Sequence, residues 1–257
     1  MTESNLKKVQ ENIIKKTNKL ITIDKLKILI NWILSNEIKN SQFYKIIYNL
    51  KNKGFLISLK KDIFLIKQPQ KEYSEFDIEN KFYWKLLKDH CTSDCKNARY
   101  LWWLTALEIN YNDKIPEIPE EIIIFNNKKQ AKEIVIFEKK VYFKKYQVNQ
   151  KSIFTTLLKQ TKKKRISENN FTYANMELSI LESLYNIDEY NKTYIENLII
   201  KVLKKQKKNF NIKNLEDILK TGKHNSSANR FLKIIQNSFP DLAKEVKRLI
   251  KKHGFIL

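Results

Sequence analysis

The sequence predicts an α+β protein, and three features of its patterning lead there. Apolar residues recur at helical spacing through most of residues 5–53. Runs of β-branched and aromatic residues follow at 55–66 and again at about 121–148. From residue 175 the pattern turns helical and stays so. Helical and strand-like stretches lying in separate blocks define the class. The chain has 257 residues and a mass of 30.9 kDa. One large or two smaller domains are therefore expected.

The first block is helical over residues 5–19, with Leu6, Val9, Ile13 and Ile14 on one face. Ile21-Thr22-Ile23 is a short β-like piece. Asp24 can cap a second helix running to Trp32, which buries Leu26, Leu29 and Ile30. Residues 35–40 are polar and turn-like. Asn40 or Ser41 caps a third helix reaching about Lys53, with Phe43, Ile46, Ile47 and Leu50 as its apolar positions. Gly54 stands where a left-handed helix end is wanted. Two β-like runs, 55–59 and 63–66, are joined by Lys60-Lys61-Asp62 as a tight turn. Three helices, a glycine and a hairpin make the layout of a winged helix-turn-helix over residues 1–67. In that layout the third helix enters the major groove and the wing follows the backbone.

Helical facing puts Ser41, Gln42, Lys45, Asn49 and Asn52 on the outer side of the third helix. Asn and Gln amides can read adenine edges, and lysine can contact guanine or phosphate. Lys53, Lys60 and Lys61 supply charge at the helix end and wing, as does Lys51. Such contacts position a protein and make its binding salt-dependent. Double-stranded DNA is the expected partner.

Residues 68–75 lack apolar periodicity and contain Pro69, and read as a linker. A second domain is expected over 76–257. Residues 79–89 are helical, with Phe82, Tyr83, Leu86 and Leu87 inward. Residues 99–109 form the most apolar helix, and Pro116 and Pro119 then break the chain. A small sheet at about 121–148 holds three strands, 121–125, 133–137 and 140–148. The last reads as an edge protected by Lys144 and Lys145. Lys162-Lys163-Lys164-Arg165 reads as a solvated loop, with a phosphate contact as the alternative. Residues 175–257 form a helical bundle, with Pro240 in the first turn of its last helix.

Composition narrows the function. Lysine and arginine number 50 against 28 acids, a net charge of +22, which favours a polyanionic partner. The abundance of Lys, Asn and Ile matches AT-biased codon usage, which accounts for part of that charge. No apolar run approaches the ~18 residues of a membrane span, and residues 1–20 hold no signal core, so a cytoplasmic protein without a membrane partner is expected. Cys91 and Cys95, even with His90 beside them, make neither a metal site nor a disulfide framework. Only Gly54, Gly222 and Gly254 are glycines, which excludes Gly-rich phosphate loops and dinucleotide fingerprints. Neither a cofactor nor a catalytic set is expected. Tyr142, Phe143 and Tyr146 among lysines leave open a role in stacking single-stranded bases.

Three segments resemble the AbiEi family of antitoxins and transcriptional regulators from abortive-infection toxin–antitoxin pairs. The first is Tyr48-Asn49-Leu50-Lys51-Asn52-Lys53-Gly54-Phe55-Leu56 with the wing at 63–66. The second is Tyr100-Leu101-Trp102-Trp103-Leu104-Thr105-Ala106-Leu107-Glu108. The third is Met176-Glu177-Leu178-Ser179-Ile180-Leu181-Glu182-Ser183-Leu184. The resemblance implies an autorepressor that binds its own promoter. It also implies an antitoxin that counteracts a nucleotidyltransferase-type toxin without forming a stable complex. The family pattern prefers glycine where Trp102 and Trp103 stand, and in the wing turn where Asp62 stands. A UGA codon decoded as glycine in the source but written as tryptophan is one account of the pair; a genuine buried aromatic pair is the other. A stand-alone winged-helix regulator with a sensing or dimerising second domain is the alternative to an antitoxin.

Overall fold

The computed structural model describes residues 3–60, 62–95, 99–112, 118–127, 132–145, 151–185, 187 and 192–253. The fold is α+β, with eleven α-helices and two sheets among these residues. The chain divides into two compact units, Met1–Glu79 and Asn80–Leu257. Among the described residues, no helix is long and apolar enough to cross a membrane.

In the first unit, α1 (Glu3–Ile14) buries Leu6, Val9 and Ile13 of the face its helical periodicity selects, whereas Ile14, expected on that face, is exposed in the last turn. Strand β1 (Leu20–Thr22) runs directly into α2 (Ile23–Leu34). The cap of α2 is Thr22, not Asp24: the Thr22 hydroxyl accepts the Lys25 N–H at 3.4 Å. Asp24 sits in the first turn, where its charge favours the positive end of the helix. After α3 (Asn40–Asn52), strands β2 (Leu56–Lys60) and β3 (Ile63–Ile66) form a hairpin. The sheet is antiparallel in the order β1-β3-β2, with Ile21 opposite Phe64 and Ile57 opposite Leu65. All three helices turn their apolar faces into one core with Leu56, Phe64 and Ile66.

The second unit opens with α4 (Glu75–Cys95), which begins within the first, followed by β4 (Arg99–Leu101) and α5 (Trp103–Tyr111). The apolar stretch expected as one helix over 99–109 is thus a strand and then a helix. Next come β5 (Glu121–Asn126), β6 (Lys132–Ile136), β7 (Lys139–Lys145), α6 (Lys151–Lys159), β8 (Thr161–Ile166) and β9 (Asn169–Ala174). The six strands lie in the order β6-β7-β5-β4-β9-β8. This sheet is larger than the three strands expected at 121–148, because β4, β8 and β9 join it. Strand β7 is interior, between β6 and β5, so it is not the edge its lysines suggested. The lysine-rich run at 162–165 is part of edge strand β8 rather than a loop, and its charges blunt that open edge.

The remaining helices are α7 (Met176–Tyr185), α8 (Lys192–Gln206), α9 (Ile212–Leu219), α10 (Asn225–Ile235) and α11 (Pro240–Lys252). Pro240 occupies the first turn of α11, where its missing N–H costs nothing. Helix α7 is buried along all of Met176–Leu184. Its polar residues therefore need partners inside the protein. Asn175 caps it by accepting the Leu178 N–H at 2.9 Å, and the Ser179 hydroxyl accepts from the Asn110 amide at 3.1 Å. A Glu177 oxygen accepts the Asn211 N–H at 2.6 Å.

Candidate nucleic-acid interface

Helix α3 is sharply two-faced. Phe43, Ile46, Ile47 and Leu50 are buried, whereas Ser41, Gln42, Lys45 and Asn52 are exposed and Asn49 is half-buried. The residues expected on the outer face therefore share it. Two tyrosines join them one helical turn apart, Tyr44 at 59% exposure and Tyr48 at 65%. Neither is among the contact residues expected from the sequence. Their i, i+4 spacing opposite the Ile46/Ile47 face was the available signal.

Local hydrogen bonds occupy part of this face. Neither Asn40 nor Ser41 caps α3, because Lys39 is the residue preceding the helix. The Gln42 side-chain oxygen accepts the Lys39 N–H at 3.3 Å, closing the first turn from within. Asn40 instead accepts from Lys27 Nζ at 2.8 Å. The Asn49 amide donates to the Lys45 carbonyl at 2.8 Å. Two of the expected base-reading amides are thus engaged with the backbone, and reading a base edge would require each to let go.

The helix ends on a Schellman motif. Phe55 N–H donates to the Leu50 carbonyl at 2.8 Å and Gly54 N–H to the Lys51 carbonyl at 2.9 Å, with Gly54 at φ +74°. This turn sends the chain directly from α3 into β2. Lys53 is exposed at the helix end. Lys60 closes β2, where the register shifts between Ser58 and Lys60, and Lys61 lies outside the described residues. Asp62 takes φ +64° beyond it, the conformation a glycine would adopt freely. Between Glu37 and Asp62 the chain holds Lys39, Lys45, Lys51, Lys53, Lys60 and Lys61 and no acid. Helix α3 and strand β2 therefore carry basic residues and no acid, and the hairpin turn holds the one acid, Asp62.

In the second unit the expected stacking residues do not form a platform. Phe143 is buried and packs 5.5 Å from the His90 ring; Tyr142 is half-buried against the core, and Tyr146 lies outside the described residues. The Trp102–Trp103 pair is buried too. Trp102 stacks on Phe125 at 5.2 Å and lies under Lys144 Nζ at 5.1 Å. Trp103 stands at φ +63°. Among the described residues, no group of three His, Cys, Asp or Glu side chains is placed to hold a metal ion.

No family model matches the chain, and no curated protein matches it. Among solved structures, the chain is similar to the crystal structure of the RV2827C protein from Mycobacterium tuberculosis. The TM-score is 0.61 at 11% sequence identity, over 100% of this chain and 84% of that one. At that identity the likeness is one of fold.

Proposed function

We propose that the first unit is a winged helix that binds duplex DNA, with α3 in the major groove and the β2–β3 hairpin as the wing. The observation that carries this reading is the acid-free face of α3. Exposed Ser41, Lys45 and Asn52 stand on it, and the Gly54 motif leads from it straight into a lysine-bearing hairpin. Lys53 and Lys60 would hold phosphates, and Gln42 and Asn49 would read bases once freed from their backbone bonds.

With this DNA-binding unit we propose the role implied by the resemblance of segments 48–56, 100–108 and 176–184 to AbiEi antitoxins. The chain represses its own promoter and counteracts a nucleotidyltransferase-type toxin without a stable complex. A stand-alone regulator would use the same DNA face, and a toxin gene beside this one separates the two roles.

The test is fluorescence anisotropy with duplex DNA from upstream of the gene, beside a shuffled duplex and a single strand across a salt series. A specific regulator prefers its own duplex by ~10³-fold or more at physiological salt. Equal affinity for all three probes, collapsing with salt, is the behaviour of a bare polycation and overturns the proposal.

A further inference from the structure

The second unit contains a cavity of about 400 Å³ whose charged residues are all cations. Its base is sheet, with Arg99, Tyr100 and Leu101 from β4, Ile124 from β5 and Thr172 from β9. Helix α4 crosses above it, anchored where Trp84 meets Phe171 edge-on at 5.3 Å and where Lys88 Nζ donates to the Asn170 carbonyl at 2.6 Å. Lys163 reaches the rim from β8, paired in register with Thr172.

Arg99 is 9% exposed. Its guanidinium donates to the Cys91 carbonyl at 2.7 Å and to the Thr92 hydroxyl at 3.2 Å. Both partners are neutral, and a guanidinium has five donors. Among the described residues, no carboxylate pairs with Arg99, Lys88 or Lys163. A buried charge without a counter-charge is costly. Beside Arg99, the Lys88 ammonium is held below the ordinary lysine range, by its own burial first and then by the charge of Arg99, with Cys91 opposing and Lys163 adding to the shift. Three converging cations, one nearly buried, are what a doubly charged anion compensates. The planar guanidinium fork suits phosphate oxygens in particular.

We propose that this cavity binds the phosphate group of a small phosphorylated molecule, held by Arg99, Lys88 and Lys163. Its volume lies within the range of small-ligand sites. The walls of Tyr100, Leu101, Ile124 and Phe171 keep the cations in an apolar setting, where a charge-assisted bond is stronger than in water. The same chemistry serves free phosphate and an organic phosphate.

Titration calorimetry on the full chain separates these sources. Inorganic phosphate, uridine 5′-monophosphate and uridine are compared at constant ionic strength. The expected result is that both phosphates bind and uridine does not. The monophosphate binding more tightly identifies an organic phosphate, and equal affinity identifies free phosphate. Because Arg99 is buried and its replacement threatens folding, the decisive variants are Lys163→Gln, at the exposed rim, and Lys88→Gln. Each should weaken phosphate binding by about tenfold, the loss of one charge-assisted contact of the kind these cations make. Lys244→Gln, an exposed lysine on α11, should leave it unchanged. Absence of phosphate binding, or the same loss in Lys244→Gln as in Lys163→Gln, overturns the proposal.

Discussion

Glu182 and Trp103 meet at the start of α5: a carboxyl oxygen of Glu182 accepts the Trp103 N–H at 3.3 Å, while the Tyr100 hydroxyl donates to the other oxygen at 2.7 Å. The carboxyl thus satisfies a helix-start donor from within the buried Met176–Leu184 run of α7. Trp103 supplies that donor from a left-handed backbone, φ +63°.

That conformation is unfavourable for any side chain with a Cβ, by roughly 1–2 kcal/mol. Trp102, its neighbour, has an ordinary extended backbone. Removing a buried tryptophan costs about 3–5 kcal/mol. Trp103→Gly should therefore lose roughly 1–2 kcal/mol less than Trp102→Gly, because relief of strain offsets part of the cavity. Urea denaturation of both variants checks this, and equal losses would contradict it. The gene adds a second test: UGA at codons 102 and 103 would mark glycine in the source, UGG native tryptophan.

Burial pushes the Glu182 carboxyl up to about 8, against the pull of its hydrogen bonds from Tyr100, Trp103 and Trp102. Its folded value lies above the unfolded 4.5, so the native state keeps a proton that the unfolded chain has released. Stability from this group is complete below about pH 4.5 and is lost as pH rises through about 8. Glu182→Gln keeps an oxygen for the Trp103 N–H and an amide to donate to Tyr100. It should flatten the fall of Tm across that window; an unchanged slope would show that another group carries it.

His224 works in the opposite direction. Burial, then the charge of Lys223, pushes its imidazole down to about 4, and its ring meets Tyr185 edge-on at 6.1 Å. The unfolded chain therefore binds a proton, between about pH 6.5 and pH 4, that the native state refuses. Stability from this group is present above 6.5 and lost as pH falls through 4. His224→Phe should reduce the acid-side loss in a Tm–pH series while leaving the alkaline side to Glu182.

At Gly54 the required φ is +74°, yet a Cβ would meet Lys67 and Pro69 only at ordinary contact, 3.6 Å. The penalty of Gly54→Ala is then almost purely backbone, about 1–2 kcal/mol. A denaturant midpoint shift several times larger would mean that the turn packs more tightly than these distances allow.

If α3 and its hairpin grip DNA, phosphate contacts should appear in the salt dependence. Lys45→Ala and Lys53→Ala should each reduce the slope of log affinity against log salt by about 0.9. Gln42→Ala should weaken binding and also lower Tm slightly, since Gln42 closes the first turn of α3. An unchanged slope in both lysine variants would remove them from the interface.

What could be read from the sequence was what repeats or punctuates. The faces of α1, α2 and α3 follow from apolar spacing, and Gly54 from its place after Leu50. What escaped lacked the usual marks. The turn at Ser167-Glu168 is left-handed without glycine, so nothing announced the β8–β9 hairpin. Arg99–Leu101 is a strand only because β5 and β9 flank it. The basic run at 162–165 is strand through pairing with β9, not through its own preference. On the outer face of α3, helical facing accounts for which side chains are exposed, but the backbone bonds of Gln42 and Asn49 leave no mark in the sequence.

The all-round burial of α7 has a consequence for synthesis. Its surroundings come from both sides of it in the chain: α5 and β9 precede it, and α8, α9 and α10 follow. On the ribosome, Met176–Leu184 must wait with four buried polar side chains and no roof until residues beyond 225 have emerged. The first unit is complete by Glu79 and has no such delay. A nascent chain thus acquires the unit with the cationic α3 face well before the unit that carries the phosphate cavity.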